Sequence, residues 1–369
     1  MKISASRDSF LADLGVAARA ASARSAVQTL AGVMLHADDE SVELRATDME
    51  LGIRIATEAT VERSGTVVLP GRLLVDVVRS LPKDDLTLEY RSAEEDVEVV
   101  SGPAQFRLRV LPAGEFPRLP EPGEAAVVRV PAAAFVETIE RVARSASRDE
   151  SRPHLTGVLV SASGRELRMV ATDSYRLSVK ETVLEHAVDG ELEVNVPART
   201  LQELGRVAGA EAAADIDIWA LENQVIFKAG SGVLSSRLVE GRFPNYRQLL
   251  PESFEHELRV SRGELLEVVR RVGLLAQRNA PLRLAFSDGA LEVSAQTPDV
   301  GRASESLPVP FKGESLEIGF NADFLRDGIE SAESDELVLK LISPLRPGLI
   351  QSGENENFTY LVMPIRLNV

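Results

Sequence analysis

The sequence predicts an α+β fold made of three tandem copies of one domain, each with two helices on one face of antiparallel sheets. Three observations predict it. Thr47, Thr172 and Thr297 each close a stretch of alternating apolar residues, and they are spaced by 125 and 125 residues. An amphipathic helix opens each third of the chain, and a second follows in mid-domain. At 369 residues the chain is also too long for one core, because single cores stop growing at about 250–300 residues.

The elements follow in order. Phe10, Leu14 and Ala17 mark a helix in "SFLADLGVAARAA", Phe135, Ile139 and Val142 one in "AFVETIERVARSA", and Leu265, Val269 and Val272 one in "ELLEVVRRVGLLA". The mid-domain helices are "LPGRLLVDVVRSL", "VPARTLQELGRVA" and "FNADFLRDGIESA", with Pro70 and Pro197 near the start of the first two, where a missing N–H costs little. Between helices run short alternating segments such as "DLTLEY", "VEVV", "QFRLRV", "IDIWA" and "QVIFKA". In "VELRATDMELGIRI" and "LRMVATDSYRLSV" the Thr-Asp pair separates two alternating runs, so Asp48 and Asp173 are turn residues whose side chains bond backbone N–H groups two residues on. Domain boundaries belong in the Pro/Gly-rich "LPEPGEAAV" and around "LPESFEHEL", giving domains 1–122, 123–252 and 253–369.

Composition excludes more than it selects. With 44% hydrophobic and 27% charged residues the chain reads as a globular type, and the absence of cysteine removes disulfides, thiolate metal sites and cysteine nucleophiles. No run approaches the roughly 18 apolar residues of a membrane helix, and the N-terminus has no apolar leader, so a cytoplasmic location is expected. Nucleotide-binding glycine motifs, H-E-x-x-H and G-x-S-x-G are absent; "SLPK", Ser80 to Lys83, matches the loose S-x-x-K pattern but lies past a helix end with no K-T-G partner. His36, His154, His186 and His256 are scattered without ligand spacing, so no metal and no cofactor are expected. A formal charge of −16 should repel nucleic acid at long range. Two readings stay open on the residues alone: an enzyme using hairpin acids such as Asp48 and Asp173, and a three-domain scaffold without DNA function.

The motifs "VATDSYRLSV", "LVEGRFPNYRQLLP" and the terminal "TYLVMPIRL", with "ATDMEL" and "LPAGEFPRLP" in the first third, resemble those of the bacterial sliding clamps, the β subunit of DNA polymerase III. The resemblance spans the whole chain, with the three domains in order. It implies the DNA-clamp fold and a head-to-tail homodimer whose six domains form a ring around duplex DNA. Such a ring confers processivity by topology, binds no cofactor, catalyses nothing and works at the nucleoid. That bears on the charge, since a ring needs an inner wall that does not repel DNA rather than a tight grip on phosphates. The six candidate inner helices with adjoining loops (7–24, 71–81, 132–152, 198–208, 262–278 and 322–332) carry +3 between them, which leaves −19 on the remainder. The last of them dissents, with −2.

The resemblance further implies a peptide-binding cleft for the replicative polymerase, the clamp loader and repair proteins, which carry short linear motifs ending in Leu and Phe. Its matching positions are Leu155, Thr172, Ser174, Tyr175, Arg176, Leu177, Pro244, Gln248, Leu249, Leu361, Val362, Met363, Pro364 and Arg366, with Tyr175 and Gln248 tuning peptide choice. The implied DNA-facing residues are Arg24, Arg72, Arg148, Arg152, His154 and Arg199. Phe106, Leu274 and Leu275 are the implied apolar contacts of the dimer, while Pro103 and Gln105 stand where basic residues often form ion pairs. Apolar contact is therefore expected to hold the dimer. The resemblance leaves open whether this is the main clamp or a duplicate copy that confers resistance to a clamp inhibitor.

Overall fold

The computed structural model describes residues 1–22, 25–123, 125–276, 281–298, 300–353 and 357–367. Alternation in the sequence becomes strands and the 3.6-residue stripes become helices, in an order that recurs three times. The first third runs β1 (Lys2–Ser6), α1 (Arg7–Ala17), β2 (Gly32–Ala37), β3 (Val42–Thr47), β4 (Leu51–Thr57), β5 (Thr60–Arg63), β6 (Gly65–Pro70), α2 (Gly71–Ser80), β7 (Asp85–Arg91), β8 (Asp96–Ser101) and β9 (Ala104–Arg109). The second runs β10 (Val128–Pro131), α3 (Ala132–Val142), β11 (Gly157–Ser163), β12 (Glu166–Thr172), β13 (Arg176–Val183), β14 (Glu191–Pro197), α4 (Ala198–Ala210), β15 (Asp215–Ala220), β16 (Gln224–Ala229) and β17 (Gly232–Arg237). The third runs β18 (His256–Ser261), α5 (Arg262–Gly273), β19 (Leu282–Ser287), β20 (Ala290–Thr297), β21 (Gly301–Pro308), β22 (Leu316–Phe320), α6 (Ala322–Ser331), β23 (Glu336–Leu341), β24 (Gly348–Ser352) and β25 (Phe358–Val362). The extra short strand β5 aside, each third is strand, helix, four strands, helix, three strands.

The chain divides into two compact units. Residues 1–136, 188–190 and 199–238 form the first. Its sheets have the orders β5-β1-β7-β8-β9 and β10-β15-β16-β17-β4-β3-β2-β6, with every pairing antiparallel. Helix α1 turns Phe10, Leu14 and Ala17 into the core, and Phe135 packs against Phe227 with ring centroids 6.3 Å apart. Strand β4 of the first third pairs with β17 of the second, Gly52 lying opposite Ser235.

Residues 137–187, 191–198 and 239–369 form the second unit. Its sheets run β14-β11-β12-β13-β25-β24-β23-β18 and β21-β20-β19-β22. Here β13 of the second third pairs with β25 of the last, Leu177 opposite Leu361, so the junction made in the first unit is made again. Helices α5 and α6 are capped by sequence: Ser261 accepts from Glu264 N–H in an S-x-x-E start, and Asn321 accepts from Phe324 N–H at 3.0 Å. Helix α6 sits close on β25, because Gly328 leaves room for the buried Tyr360 ring.

One expectation is corrected. Thr297 is not the third member of the Thr47 and Thr172 set. Ala46↔Ile53 and Ala171↔Ser178 are matched in the last third by Ala295↔Ala303, which places Gln296 opposite Arg302 where the threonines lie opposite Gly52 and Leu177. The structural repeat is one residue shorter there, and the Thr297 hydroxyl donates to Leu275 O at 2.8 Å instead of closing its own turn.

A methyl added at Gly328 would meet Tyr360 Cδ1 at 2.4 Å, whereas one added at Gly209 in α4 meets nothing within 4 Å. Gly328→Ala should therefore cost about 1–3 kcal/mol by overpacking. Gly209→Ala should gain up to about 1 kcal/mol of helix stability. Opposite displacements of the thermal midpoint in the two variants check this.

Candidate peptide cleft and nucleic-acid interface

The two Thr-Asp hairpins are built identically. Asp48 Oδ1 accepts from the N–H groups of Glu50 and Leu51 at 3.1 and 2.8 Å, and Asp173 Oδ1 accepts from those of Tyr175 and Arg176 at 2.9 and 3.0 Å. The threonines lock the other side: Thr47 and Thr172 hydroxyls donate to the carbonyls of Leu51 and Arg176 and accept from Met49 and Ser174 N–H. Met49 and Ser174 are thereby held at φ 78° and 77°, a left-handed conformation costly for residues with a side chain. Both aspartates are thus committed to the turn, the role their sequence context predicts.

Pairing of β13 with β25 brings the candidate cleft residues together. Arg176 faces Val362, Leu177 faces Leu361, and Met363 N–H donates to Tyr175 O at 2.8 Å, extending the ladder past the strand ends. Leu177 and Leu361 join Val170, Val179 and Tyr246 in a small apolar cluster, with Phe243 and Leu250 of the loop after β17 packed on it. A pocket of about 150 Å³ continues along the same sheet face, lined by Val179, Glu181, Tyr246, Arg247, Leu250 and Thr359 among others. At the rim Tyr175, Leu249 and Met363 are 58%, 49% and 39% exposed, which is unusual for large apolar side chains. Gln248 and Arg366 are exposed, Pro244 and Pro364 are half-buried, and Leu155, Thr172 and Val362 lie beneath the surface. The corresponding place in the first unit differs: Gly52 and Ser235 leave room there that Leu119 partly takes, beside a pocket of about 120 Å³.

Arg176 belongs to the foundations of this site rather than its surface. Its Nε donates to Asp173 Oδ2 at 3.0 Å, Nη1 to Asp327 Oδ2 at 2.5 Å and Nη2 to Arg144 O at 2.6 Å, and its Cζ lies 4.4 Å from the Phe324 ring centroid. Burial opposes its charge, yet the Tyr360 hydroxyl, Asp327 and Asp173 outweigh that and hold the guanidinium above its ordinary pKa. Burial likewise pushes the Tyr360 phenol up, and its hydroxyl donates to Phe324 O at 2.8 Å.

The same neighbourhood explains the acidic α6. Asp327 pairs with Arg176, while Glu330 accepts from Arg144 and Arg270, each at 3.0 Å. Burial works against the Glu330 charge, but Arg270 and Arg144 hold its carboxyl below the ordinary range. Two of the acids in this helix therefore neutralise arginines from other elements.

Of the implied DNA-facing residues, Arg24 lies outside the described residues. Arg72 and Arg148 are exposed. Arg199 is half occupied, donating to Asp48 Oδ2 at 2.6 Å and to Arg19 O at 3.0 Å. Arg152 pairs with Asp149 at 3.0 Å and also donates to Asp173 O and Ser174 Oγ, which ties it to the hairpin. His154 is half-buried, and its carbonyl accepts from Asn195. In the first unit, α1, α2 and α4 line a groove of about 1320 Å³ whose lining includes Arg19, Arg72, Arg79 and Arg206 together with the small Ala12 and Gly15. Arg79 and Arg206 were not singled out by sequence, although Arg79 stands two helical turns after Arg72.

Phe106 lies on β9, the edge of its sheet, and is partly exposed. Leu274 is 83% exposed, whereas Leu275 packs partly onto its own core. Leu345 is a further exposed apolar residue that sequence reasoning missed. It sits in the turn entering β24, whose first residue Gly348 lies opposite Val362, and its signal was a leucine in the Pro-flanked "SPLRPG". Among the described residues no cluster of His, Asp or Glu is arranged to hold a metal, and no helix is long and apolar enough to cross a membrane.

Three family models match the chain: the N-terminal domain of the DNA polymerase III beta subunit over residues 1–120, its central domain over 129–245 and its C-terminal domain over 247–366. The beta sliding clamps of Streptomyces coelicolor and Synechococcus elongatus are 33% and 34% identical, each over 100% of both chains. A crystal structure of the sliding clamp from Bartonella birtlesii, bound to griselimycin, is 30% identical and superposes with a TM-score of 0.92 over 100% of both chains.

Removing Arg176 would strand Asp173 and Asp327 in a poorly solvated site. Arg176→Ala should destabilise by about 3 kcal/mol, while Arg72→Ala and Arg148→Ala should stay within about 0.5 kcal/mol of the parent. Denaturant unfolding of the three variants separates the two kinds of arginine.

Proposed function

The chain belongs to the DNA polymerase III beta subunit family, the beta sliding clamps, and from that premise we propose how its residues tether a polymerase to DNA. It is a processivity factor and not an enzyme: it encircles duplex DNA as a head-to-tail dimer and holds polymerase and other DNA-processing proteins through peptide motifs. The relatives give no support to the duplicate-copy alternative. The division into domains 1–122, 123–252 and 253–369 belongs to this reading, the three family matches supporting the number and order of the domains, and a nucleoid location suits the function.

The observation that carries the ring is the repeated junction. The strand after the Thr-Asp hairpin pairs with the last strand of the following third, as β4 with β17 and β13 with β25. By the same rule β21 seeks the last strand of a following third, and β9 is a last strand left at a sheet edge. One chain cannot satisfy a head-to-tail series, but two chains close it, because a heterologous interface forms a ring when its rotation closes. Phe106 on β9 and the exposed Leu274 supply apolar contact at that junction.

Within the ring, the arginines around the α1, α2 and α4 groove, with Arg148, face the duplex. Arg152 and Arg199 contribute less directly because each is held by neighbouring groups, as Arg206 is by Glu203 and Arg79 by Asp76, and His154 because it is half-buried. Contacts of exposed arginines to phosphate are individually weak and salt-sensitive, which permits sliding. The cleft over Leu177 and Leu361, rimmed by Tyr175, Gln248, Leu249 and Met363, takes the Leu and Phe anchors of partner peptides. Each buried anchor yields roughly 1.5–3 kcal/mol before ordering costs. Dissociation constants on the order of micromolar follow, as partners that exchange require.

Leu249→Ala and Met363→Ala remove exposed rim contacts. Each should weaken a short Leu/Phe-ended peptide by about 5–20-fold, equivalent to about 1–2 kcal/mol, without moving the thermal midpoint. Fluorescence polarisation with a labelled peptide tests this, and unchanged affinity in both variants would contradict the assignment of the cleft.

A further inference from the structure

Repeat equivalence specifies more than which strands meet between copies. Gly52 lies opposite Ser235 at the first junction and Leu177 opposite Leu361 at the second. In the last third the hairpin register gives their place to Arg302, since Gln296↔Arg302 stands where Thr47↔Gly52 and Thr172↔Leu177 stand. On the other side, β8 turns into β9 through Gly102 at φ 53°, with Ser101 opposite Ala104; β16 turns into β17 through Gly230 at φ 60°, with Ala229 opposite Gly232. Counting from those equivalent turns puts Arg107 where Ser235 stands.

We propose that β21 pairs with β9 of a second copy in the register that sets Arg302 opposite the partner's Arg107, so that the junction between copies carries two like charges where the peptide cleft carries two leucines. This rests on the dimer reading above. The same register sets Ala303 opposite the partner's Phe106, so apolar contact closes the junction and the arginine pair opposes it. Like charges directly opposite on antiparallel strands are destabilising. Both arginines are exposed. Arg107 has Glu98 at 3.4 Å, but Glu98 also accepts from Gln105 at 2.6 Å and lies 3.4 Å from Arg91, so it serves three donors. Across its own hairpin, Arg302 faces the neutral Gln296. The device makes ring opening sensitive to ionic conditions: salt screens the repulsion and tightens the dimer.

The test measures the monomer–dimer constant of the full chain by sedimentation, at low and high salt, for the parent, Arg302→Glu, Arg107→Ala and the double variant. Arg302→Glu turns the repulsion into an attraction. An exposed charge pair is worth a few-fold per junction, and a closed ring has two junctions, so the dimer should tighten by about tenfold or more at low salt. With Arg107→Ala in place most of that gain should disappear. A dimer that is indifferent to Arg302→Glu, or that gains equally with and without Arg107, overturns the register. A chain that stays monomeric under every condition overturns the dimer reading and the register with it.

Discussion

An antiparallel sheet leaves a row of unsatisfied N–H and C=O groups at each edge, and the architecture of this chain follows from how those edges are closed. The strand after each hairpin borrows the last strand of the next third, which turns smaller sheets into continuous eight-stranded ones. The same pairing decides where the functional surface lies. Side chains opposite one another across such a junction form its floor, and the floor differs from copy to copy. Gly52 and Ser235 leave a gap that Leu119 partly occupies. Leu177 and Leu361 fill the gap themselves and present an apolar ledge. One backbone pattern therefore carries two small residues at one junction and two leucines, the floor of the proposed cleft, at the other.

Charge is distributed by the same economy. The chain carries −16, which would be an obstacle for a protein that gripped DNA by counterion release. Enclosure removes that requirement, and the remaining need is a wall that is locally tolerant of phosphate. In the proposed reading the arginines around the α1, α2 and α4 groove supply it. In the acidic α6, Asp327 and Glu330 are paired with Arg176, Arg144 and Arg270.

Much of this was legible in the sequence, and what was not has a physical reason. Helices and hairpins could be read because apolar period and turn chemistry are local: Asp48 and Asp173 bond N–H groups only two and three residues away. The Thr297 correspondence failed because spacing alone cannot see a one-residue shortening, which only strand register reveals. Arg176 fitted a cleft motif by type and place, but its partner Asp327 is 151 residues away, and no local pattern announces a buried ion pair at that separation. Leu345 was missed for the opposite reason, since a single leucine in a turn forms no periodic pattern and its exposure shows only in the fold. Arg152 and Arg199 look like free cations in sequence and are held by carbonyls and carboxylates in the fold.

The central claim is that the chain works by topology: closed rings hold DNA without gripping it. The most direct measurement loads the dimer onto nicked circular DNA with a clamp loader, confirms retention, and then linearises the DNA. Retention on circles at moderate salt followed by rapid loss from linear ends is the predicted result. Equal retention on circular and linear DNA, or no retention on either, would contradict the account.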